Sequence, residues 1–299
     1  MQKIIIIVGP TSSGKTALAV TLARAISGEV ISADSRQVYR GLDIGSGKVT
    51  KKETRGISHH LLDVADPKKV YTASDFVRDG RAAIAAIAAR GKVPVIAGGT
   101  GFYIDALTGV MPLTEVPPNP ELRYKLARCS LQQLRAKLKQ LDPKRYKTID
   151  TGNPARLMRA IEIATALGSV PTAKGRKLYD TLFIGLAVPL EELRRKIHTR
   201  LFARIRGIER EVKKLHAKGL SWKRMEALGL EYRYMARYLQ KKISREDMTR
   251  ELEKEIVKYA KRQMTWFKRN REVVWLSPRD AGKTIQLSKR FLGLRKKRV

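Results

Sequence analysis

The chain has 299 residues, 43% of them hydrophobic, with 62 Lys and Arg against 28 Asp and Glu and a formal charge of +34. That length allows one large domain or two moderate ones around a sizeable core, and the composition excludes a disordered chain. A charge this large repels itself in a compact state and calls for an anionic partner, nucleic acid first, with an anionic membrane surface as the plainer competitor. The single Cys129 excludes an internal disulfide framework and a cysteine-rich zinc module, and it fits a reducing cytoplasm.

In chain order, Ile4 to Val8 is short, β-branched and apolar throughout, the pattern of a strand buried on both faces of a parallel sheet. It is too short for a signal-peptide core or a membrane span, so neither secretion nor membrane residence is expected. The turn Gly9 to Thr16 leads into a helix from Ala17 to Ile26 that stops near Gly28, and Glu29 to Ala33 predicts a second strand ending at Asp34. Ser74 is a candidate cap for a helix whose Phe76, Val77, Ile84 and Ile87 recur at helical spacing, with Gly91 as its stop. Val93 to Ala97 predicts a third strand running into Gly98-Gly99-Thr100-Gly101. Strands alternating with helices in this way indicate an open α/β sheet.

The character changes after about Met111. Pro112, Pro117, Pro118 and Pro120 mark a linker, and Glu121 to Leu167 shows only helical patterning rich in Arg and Lys. Thr181 to Val188 predicts a strand returning to the first sheet. Leu190, Leu193, Ile197, Leu201 and Ile205 space out a long amphipathic helix, and Ser244 to Arg269 predicts another. The expected architecture is a P-loop NTPase-like α/β core over 1–112 and 181–299, a helical insert over 113–180, and a basic tail over 289–299 that carries Lys289, Arg290, Arg295, Lys296, Lys297 and Arg298.

The strongest chemical signal is G-x-x-x-x-G-K-[ST] at Gly9 to Thr16. By average composition such a match arises by chance in about one chain of this length in a hundred. Here it also lies between a predicted strand and a predicted helix, the context a P-loop requires. Glycines let backbone N–H groups converge on a phosphate at a helix N-terminus, Lys15 adds a point charge, and the Thr16 hydroxyl can hold Mg²⁺. Nucleotide hydrolysis normally needs a second acid at the end of a strand to hold the magnesium. The third strand ends in Gly98-Gly99-Thr100 instead, and Leu61-Leu62-Asp63 makes only a thin substitute. A diphosphate-bearing substrate fits better than a hydrolysed γ-phosphate.

Asp34 falls at the carboxyl end of its strand, where open α/β sheets bind ligands, and a carboxylate there can take a proton or orient a nucleophile; the plainer alternative is a turn cap. His59-His60 lacks the spacing of a zinc site and reads as a hydrogen-bonded structural pair. Arg156 and Arg159 share one helix face, as do Arg200 and Arg204, and each pair is either a phosphate contact or a solvated surface.

The chain resembles the tRNA dimethylallyltransferases, or isopentenyl-tRNA transferases, in GPTSSGKTALA (9–19), ISADSRQVYRGLDIGSGK (31–48), HHLLDVADP (59–67), VIAGGTGFY (95–103), NPARLMRAIE (153–162) and AKRQMTWF (260–267). The resemblance implies a P-loop core with a helical insert that grips the anticodon arm. It also implies transfer of a dimethylallyl group from dimethylallyl diphosphate to N6 of the adenosine 3′ to the anticodon, with Mg²⁺ and release of diphosphate. By motif, Gly9, Pro10, Thr11, Ser12, Ser13, Gly14, Lys15 and Thr16 would hold the diphosphate, with Thr16 on Mg²⁺. Asp34 would be the base and would touch tRNA together with Ser35, Arg36 and Gln37. Thr100, Arg123, Ala155, Arg156, Leu157, Met158 and Arg159 would be further tRNA contacts, and Arg200 would neutralise the leaving group. Ala155 stands where the family commonly has glutamine, and Glu231-Tyr232-Arg233 replaces its usual Gly-Tyr. A cytoplasmic monomer with no obligate protein partner is expected. The rival readings are a P-loop small-molecule kinase, a free-adenylate prenyltransferase and a non-catalytic RNA-binding protein.

Overall fold

The computed structural model describes residues 1–172 and 174–294. In chain order the elements are β1 (Lys3–Val8), α1 (Lys15–Ala25), β2 (Gly28–Ala33), α2 (Lys51–Thr54), β3 (His59–His60), α3 (Ala73–Ala89), β4 (Val93–Gly98) and α4 (Gly101–Leu107). Then come α5 (Pro120–Leu126), α6 (Leu131–Leu141), α7 (Pro143–Thr148) and α8 (Pro154–Leu167). The chain continues through β5 (Asp180–Leu186), α9 (Leu190–Ala217), α10 (Trp222–Leu228), α11 (Leu230–Leu239), α12 (Arg245–Phe267), β6 (Val274–Leu276) and α13 (Ala281–Leu292). It divides into two units, residues 1–109 with 177 onward, and residues 110–176; the boundaries lie a few residues before those expected at 113 and 180.

The first unit is built on a six-stranded sheet in the order β3-β2-β4-β1-β5-β6, parallel at every pairing. Ile4 to Val8 are fully buried because β1 lies inside the sheet, with Ile6 opposite Ile96 on one side and Phe183 on the other. Ile5 and Ile7 pack against Leu18, Leu22 and Ile26 at one face of α1, and Ile285 and Phe291 of α13 add to the same cluster. A second cluster joins α9 to the helices that follow it through Leu193, Ile197, Leu201, Ile205, Ile208, Val212 and Leu215. Leu190 is exposed at the first position of α9 and does not join that stripe, which instead runs on to Leu215.

Three further expectations change. Thr72, not Ser74, caps α3, in a reciprocal pair with Asp75 that satisfies two end groups of the helix. Leu61-Leu62-Asp63 forms no strand: β3 stops at His60, Leu61 and Asp63 have left-handed backbone, and the Asp63 carboxylate binds Lys48 at 2.5 Å. Lys289 and Arg290 lie in α13 rather than in a tail, and residues 295–299 fall outside the described residues.

Glu29 is an acid within β2 and 3% exposed. Arg90 and Lys92 bind its carboxylate at 2.7 and 2.8 Å, and His60 reaches it at 2.7 Å. Burial pushes its pKa up, but these three hydrogen bonds outweigh burial and bring it down to about 2. A carboxyl with a lower pKa folded than unfolded stabilises the fold above the ordinary value of 4.5, and that stability is lost as pH falls toward about 2. Glu29→Gln should therefore cost about 1–3 kcal/mol at neutral pH and flatten the acid limb of a denaturation series. An acid limb equally steep in the variant would contradict the assignment.

Candidate active site

The carboxyl ends of β1, β2 and β4 open into a cavity of about 430 Å³ that holds the Thr11–Ala17 turn, Asp34, Gly98, Gly99, Arg200, Tyr259 and Gln263. The turn is built by backbone that side chains resist. Ser12 has φ 61, and Gly14, at φ 94, is the residue before α1, where an L side chain would be strained. No side chain caps α1, so its first N–H groups remain free to bind an anion. Ser13 is 1% exposed and its Oγ has no hydrogen-bond partner, a buried donor that a ligand oxygen would satisfy. Lys15 Nζ donates to the Pro10 carbonyl at 2.6 Å. Burial lowers its pKa to about 8, with Asp34 opposing and Arg200 reinforcing the shift.

Asp34 follows β2 directly. Its Oδ1 accepts from the N–H groups of Arg36 and Gln37 at 2.8 and 3.3 Å, so the turn-cap role is real. The same residue lines the cavity beside the loop, so capping fixes the carboxylate and leaves Oδ2 outside the turn's bonds. Ser35 N–H donates to Thr100 Oγ1 at 3.1 Å, which ties the two turns at the ends of β2 and β4 together. Gln37 is spent inside the protein: its Oε1 accepts from Ser32 at 3.0 Å and its Nε2 donates to the Gly47 carbonyl at 3.3 Å. The Arg36 guanidinium binds the Leu228 and Ser35 carbonyls.

Arg200 and Arg204, one turn apart on α9, reach the carbonyls of Gly47 and Gly45 at 3.3 and 3.0 Å. A recess lined by Thr11, Ser12, Arg200, Arg204 and Glu231 lies beside the main cavity. Burial raises the Glu231 carboxyl pKa, with the two arginines opposing.

Three side chains at the cavity escaped the reading from sequence. Gln263 on α12 accepts from Thr11 N–H at 2.7 Å and donates to the Gly99 carbonyl at 2.9 Å, so one buried amide locks the phosphate loop to the turn after β4. Tyr259, one turn earlier, faces Asp34; burial first and that carboxylate second push its phenol up to about 12. His60 is the structural partner of Glu29, but His59 lines the cavity, and its Nε2 is buried without a partner while Nδ1 contacts the Ile57 carbonyl at 2.9 Å. The segment AKRQMTWF was the available signal for Gln263, and Tyr259 stands directly before it; nothing local distinguished His59 from His60.

In the second unit, Glu162 is 2% exposed and organises the arginines expected to meet RNA. Arg123 donates Nε and Nη2 to its two oxygens at 2.9 Å each, Arg159 adds Nη1 at 2.5 Å, and Asn119 N–H adds a fourth bond at 2.6 Å. Arg159 also holds the Thr114 and Val116 carbonyls. Both guanidiniums brace the unit, although the Arg123 side chain stays 47% exposed. Leu157 is fully buried in the unit's core, so its side chain is not an outward contact, and Met158 is half-buried against it; helix periodicity turns Leu157 inward when Ala155 and Arg156 face out. Arg156 pairs with Asp150 at 3.2 Å.

Among the described residues no group of three or more His, Cys, Asp or Glu could hold a metal ion. A magnesium ion would need substrate oxygens and water beside the Thr16 hydroxyl, a donor set suited to that hard cation. No described helix is long and apolar enough to cross a membrane.

Residues 37–270 match the family model described as IPP transferase. A tRNA dimethylallyltransferase 2 of Treponema denticola is 44% identical over 272 residues, covering 89% of this chain and 91% of the relative. A tRNA dimethylallyltransferase 1 of Hahella chejuensis is 41% identical over 282 residues, with 93% and 92% covered. The crystal structure of the tRNA isopentenylpyrophosphate transferase of Bacillus halodurans is similar at a TM-score of 0.75 and 32% identity, over 98% of this chain and 97% of that one. A eukaryotic dimethylallyltransferase acting on tRNA is similar at a TM-score of 0.86 and 25% identity, over 100% and 81%. On the span of that family match and the identity to these relatives, the chain belongs to the IPP transferase family.

Proposed function

We propose that the protein transfers a dimethylallyl group from dimethylallyl diphosphate to N6 of the adenosine 3′ to the anticodon of tRNA. The observation that carries the reading is the cavity in which an unsatisfied phosphate loop, the fixed Asp34 carboxylate and Arg200 meet; the other acid of its lining, Glu53, is spent on capping with Thr50, and β4 ends in Gly98 where nucleotide hydrolysis would place a second acid. The loop N–H groups, Ser13 and Lys15 bind the diphosphate, with Arg200 at its side. Thr16 would hold Mg²⁺, which when bound neutralises charge on the diphosphate. Asp34 accepts one N–H of the adenine amine and so aims the N6 lone pair at the first carbon of the prenyl group. As the C–N bond forms, the C–O bond breaks, its electron pair leaves with diphosphate, and the N6 proton passes to Asp34. The target base must leave its stack to reach this depth. The +34 charge supports a polyanionic partner bound in a strongly salt-dependent way.

Labelled dimethylallyl diphosphate with Mg²⁺, offered in turn tRNA and AMP, tests the reading. Label should pass to tRNA alone and ATP should compete poorly. Preferred transfer to AMP, or consumption of ATP with product, would overturn it. Glu231 supplies a second check. A carboxylate beside the diphosphate opposes anion binding, so Glu231→Gln should tighten inorganic diphosphate by roughly two- to five-fold, read by calorimetry; weaker binding would contradict that placement.

A further inference from the structure

The segment Asp43–Gly47 lies along one face of α9, and its two kinds of backbone group point to different partners. Its N–H groups meet a carboxylate and a phenol. Glu211 Oε2 accepts from Asp43 and Ile44 at 2.9 and 2.6 Å, and Oε1 accepts from Gly45 at 3.0 Å and from the Tyr232 hydroxyl at 2.8 Å. Tyr232 Oη in turn accepts from Ser46 N–H at 3.1 Å. Four consecutive amides are therefore satisfied by two side chains. Only a carboxylate offers two acceptor oxygens for this set, since an amide side chain would present an N–H to one pair of donors.

The carbonyls of the same segment meet the arginines. Gly45 and Gly47 hold Arg204 and Arg200, and Gly47 also holds Gln37. Arg200, Arg204, Gly207 and Glu211 follow one another at helical spacing down α9. At Gly207 the Ile44 side chain lies against the helix, where an added Cβ would meet it at 3.1 Å. Lys48 pins the end of the segment, on Asp43 at 2.6 Å and the Tyr39 carbonyl at 2.9 Å. A planar peptide fixes its carbonyl direction once its N–H is held. Glu211, holding the N–H groups of Ile44 and Gly45, thus aims the Asp43 and Ile44 carbonyls, which accept from Lys48 N–H at 2.9 Å and from Gly47 N–H at 3.1 Å. The Lys48 peptide carries the Gly47 carbonyl, and Ser46 N–H on Tyr232 fixes the Gly45 carbonyl.

We propose that Glu211, with Tyr232, is a positioning residue that aims Arg200 at the departing diphosphate through the backbone of Asp43–Gly47. This rests on Arg200 acting at the leaving group. Burial, and then the Glu211 carboxylate, keep the Tyr232 phenol well above its usual range, so the hydroxyl remains a donor to Glu211.

A double-mutant cycle on the full chain tests it: Glu211→Gln, Arg200→Ala and the pair, in single-turnover transfer to saturating tRNA, with inorganic diphosphate affinity as a second readout. Glu211→Gln should slow transfer about 10- to 100-fold, as misplacement of a catalytic group by a distant change does, and leave tRNA affinity within about two-fold. In the Arg200→Ala background the same change should add less than about two-fold, because the group it aims is gone. Tyr232→Phe removes two bonds, the one to Glu211 and the one from Ser46 N–H, keeps the buried ring, and should show the same non-additivity at smaller size; it carries the cycle if Glu211→Gln does not fold. Full, additive losses in both backgrounds, or an unchanged rate in Glu211→Gln, would overturn the proposal while leaving the proposed activity intact. An unimpaired Arg200→Ala would overturn both the role of Arg200 and its positioning.

Discussion

Asp34→Asn is expected to slow dimethylallyl transfer by roughly 10²–10⁴-fold, the range for loss of a positioned general base. The adenine amine is a poor nucleophile because its lone pair is delocalised into the ring, so it needs both aim and a destination for its proton. Oδ1 of Asp34 is held by the Arg36 and Gln37 N–H groups, and an asparagine can keep that capping bond through its carbonyl oxygen. The variant then differs at the other position, where an amide donates rather than accepts. Diphosphate binding should survive, since Gly9 to Thr16 is untouched, and bulk tRNA affinity should change little, since most of it comes from the basic surface. Single-turnover rates at saturating substrates, alongside tRNA binding, make the measurement. A rate within a few-fold of the unaltered protein, or a failure traced wholly to lost tRNA binding, would remove Asp34 as the base.

Arg200→Ala should lower the transfer rate by about 10²–10³-fold, the cost of one preorganised group facing developing negative charge. Charge builds on the diphosphate oxygens as the C–O bond breaks, so a guanidinium fixed on the Gly47 carbonyl gains most in the transition state. Lys15 does not duplicate it, because burial already disfavours its charge and Asp34 supports it only in part. The loss should therefore fall on kcat more than on tRNA affinity. Equal losses in rate and tRNA affinity would make Arg200 an RNA anchor instead.

The parts of this site that are local in sequence could be read there. Ile4 to Thr16 announces its strand and turn because a buried central strand tolerates only apolar side chains and a phosphate loop needs glycine at fixed places. Asp34 is legible as a residue at a strand end, although its capping bonds emerge only from the fold. Gln263 lies 252 residues from its partner Thr11, and no spacing rule links them. Glu211 likewise reads as one more acid on a charged helix until the chain lays Asp43–Gly47 over it. The arginines of the second unit show the opposite case. Arg159 and Glu162, three apart on α8, carry a visible ion-pair signal, yet Arg123 and its 39-residue separation from Glu162 do not. Charge alone could not tell a brace from an RNA contact. β6 is three residues at a sheet edge and α13 a short helix against β5 and α1; neither has a pattern long enough to stand out before the sheet it joins is known.

Nucleoside analysis of tRNA after incubation with the protein, dimethylallyl diphosphate and Mg²⁺ tests the central claim most directly. The account predicts adenosine bearing a single five-carbon group on N6, one diphosphate released per modified residue, and no requirement for ATP. Unmodified tRNA with diphosphate retained on the donor, or a five-carbon group on any other atom, would contradict it.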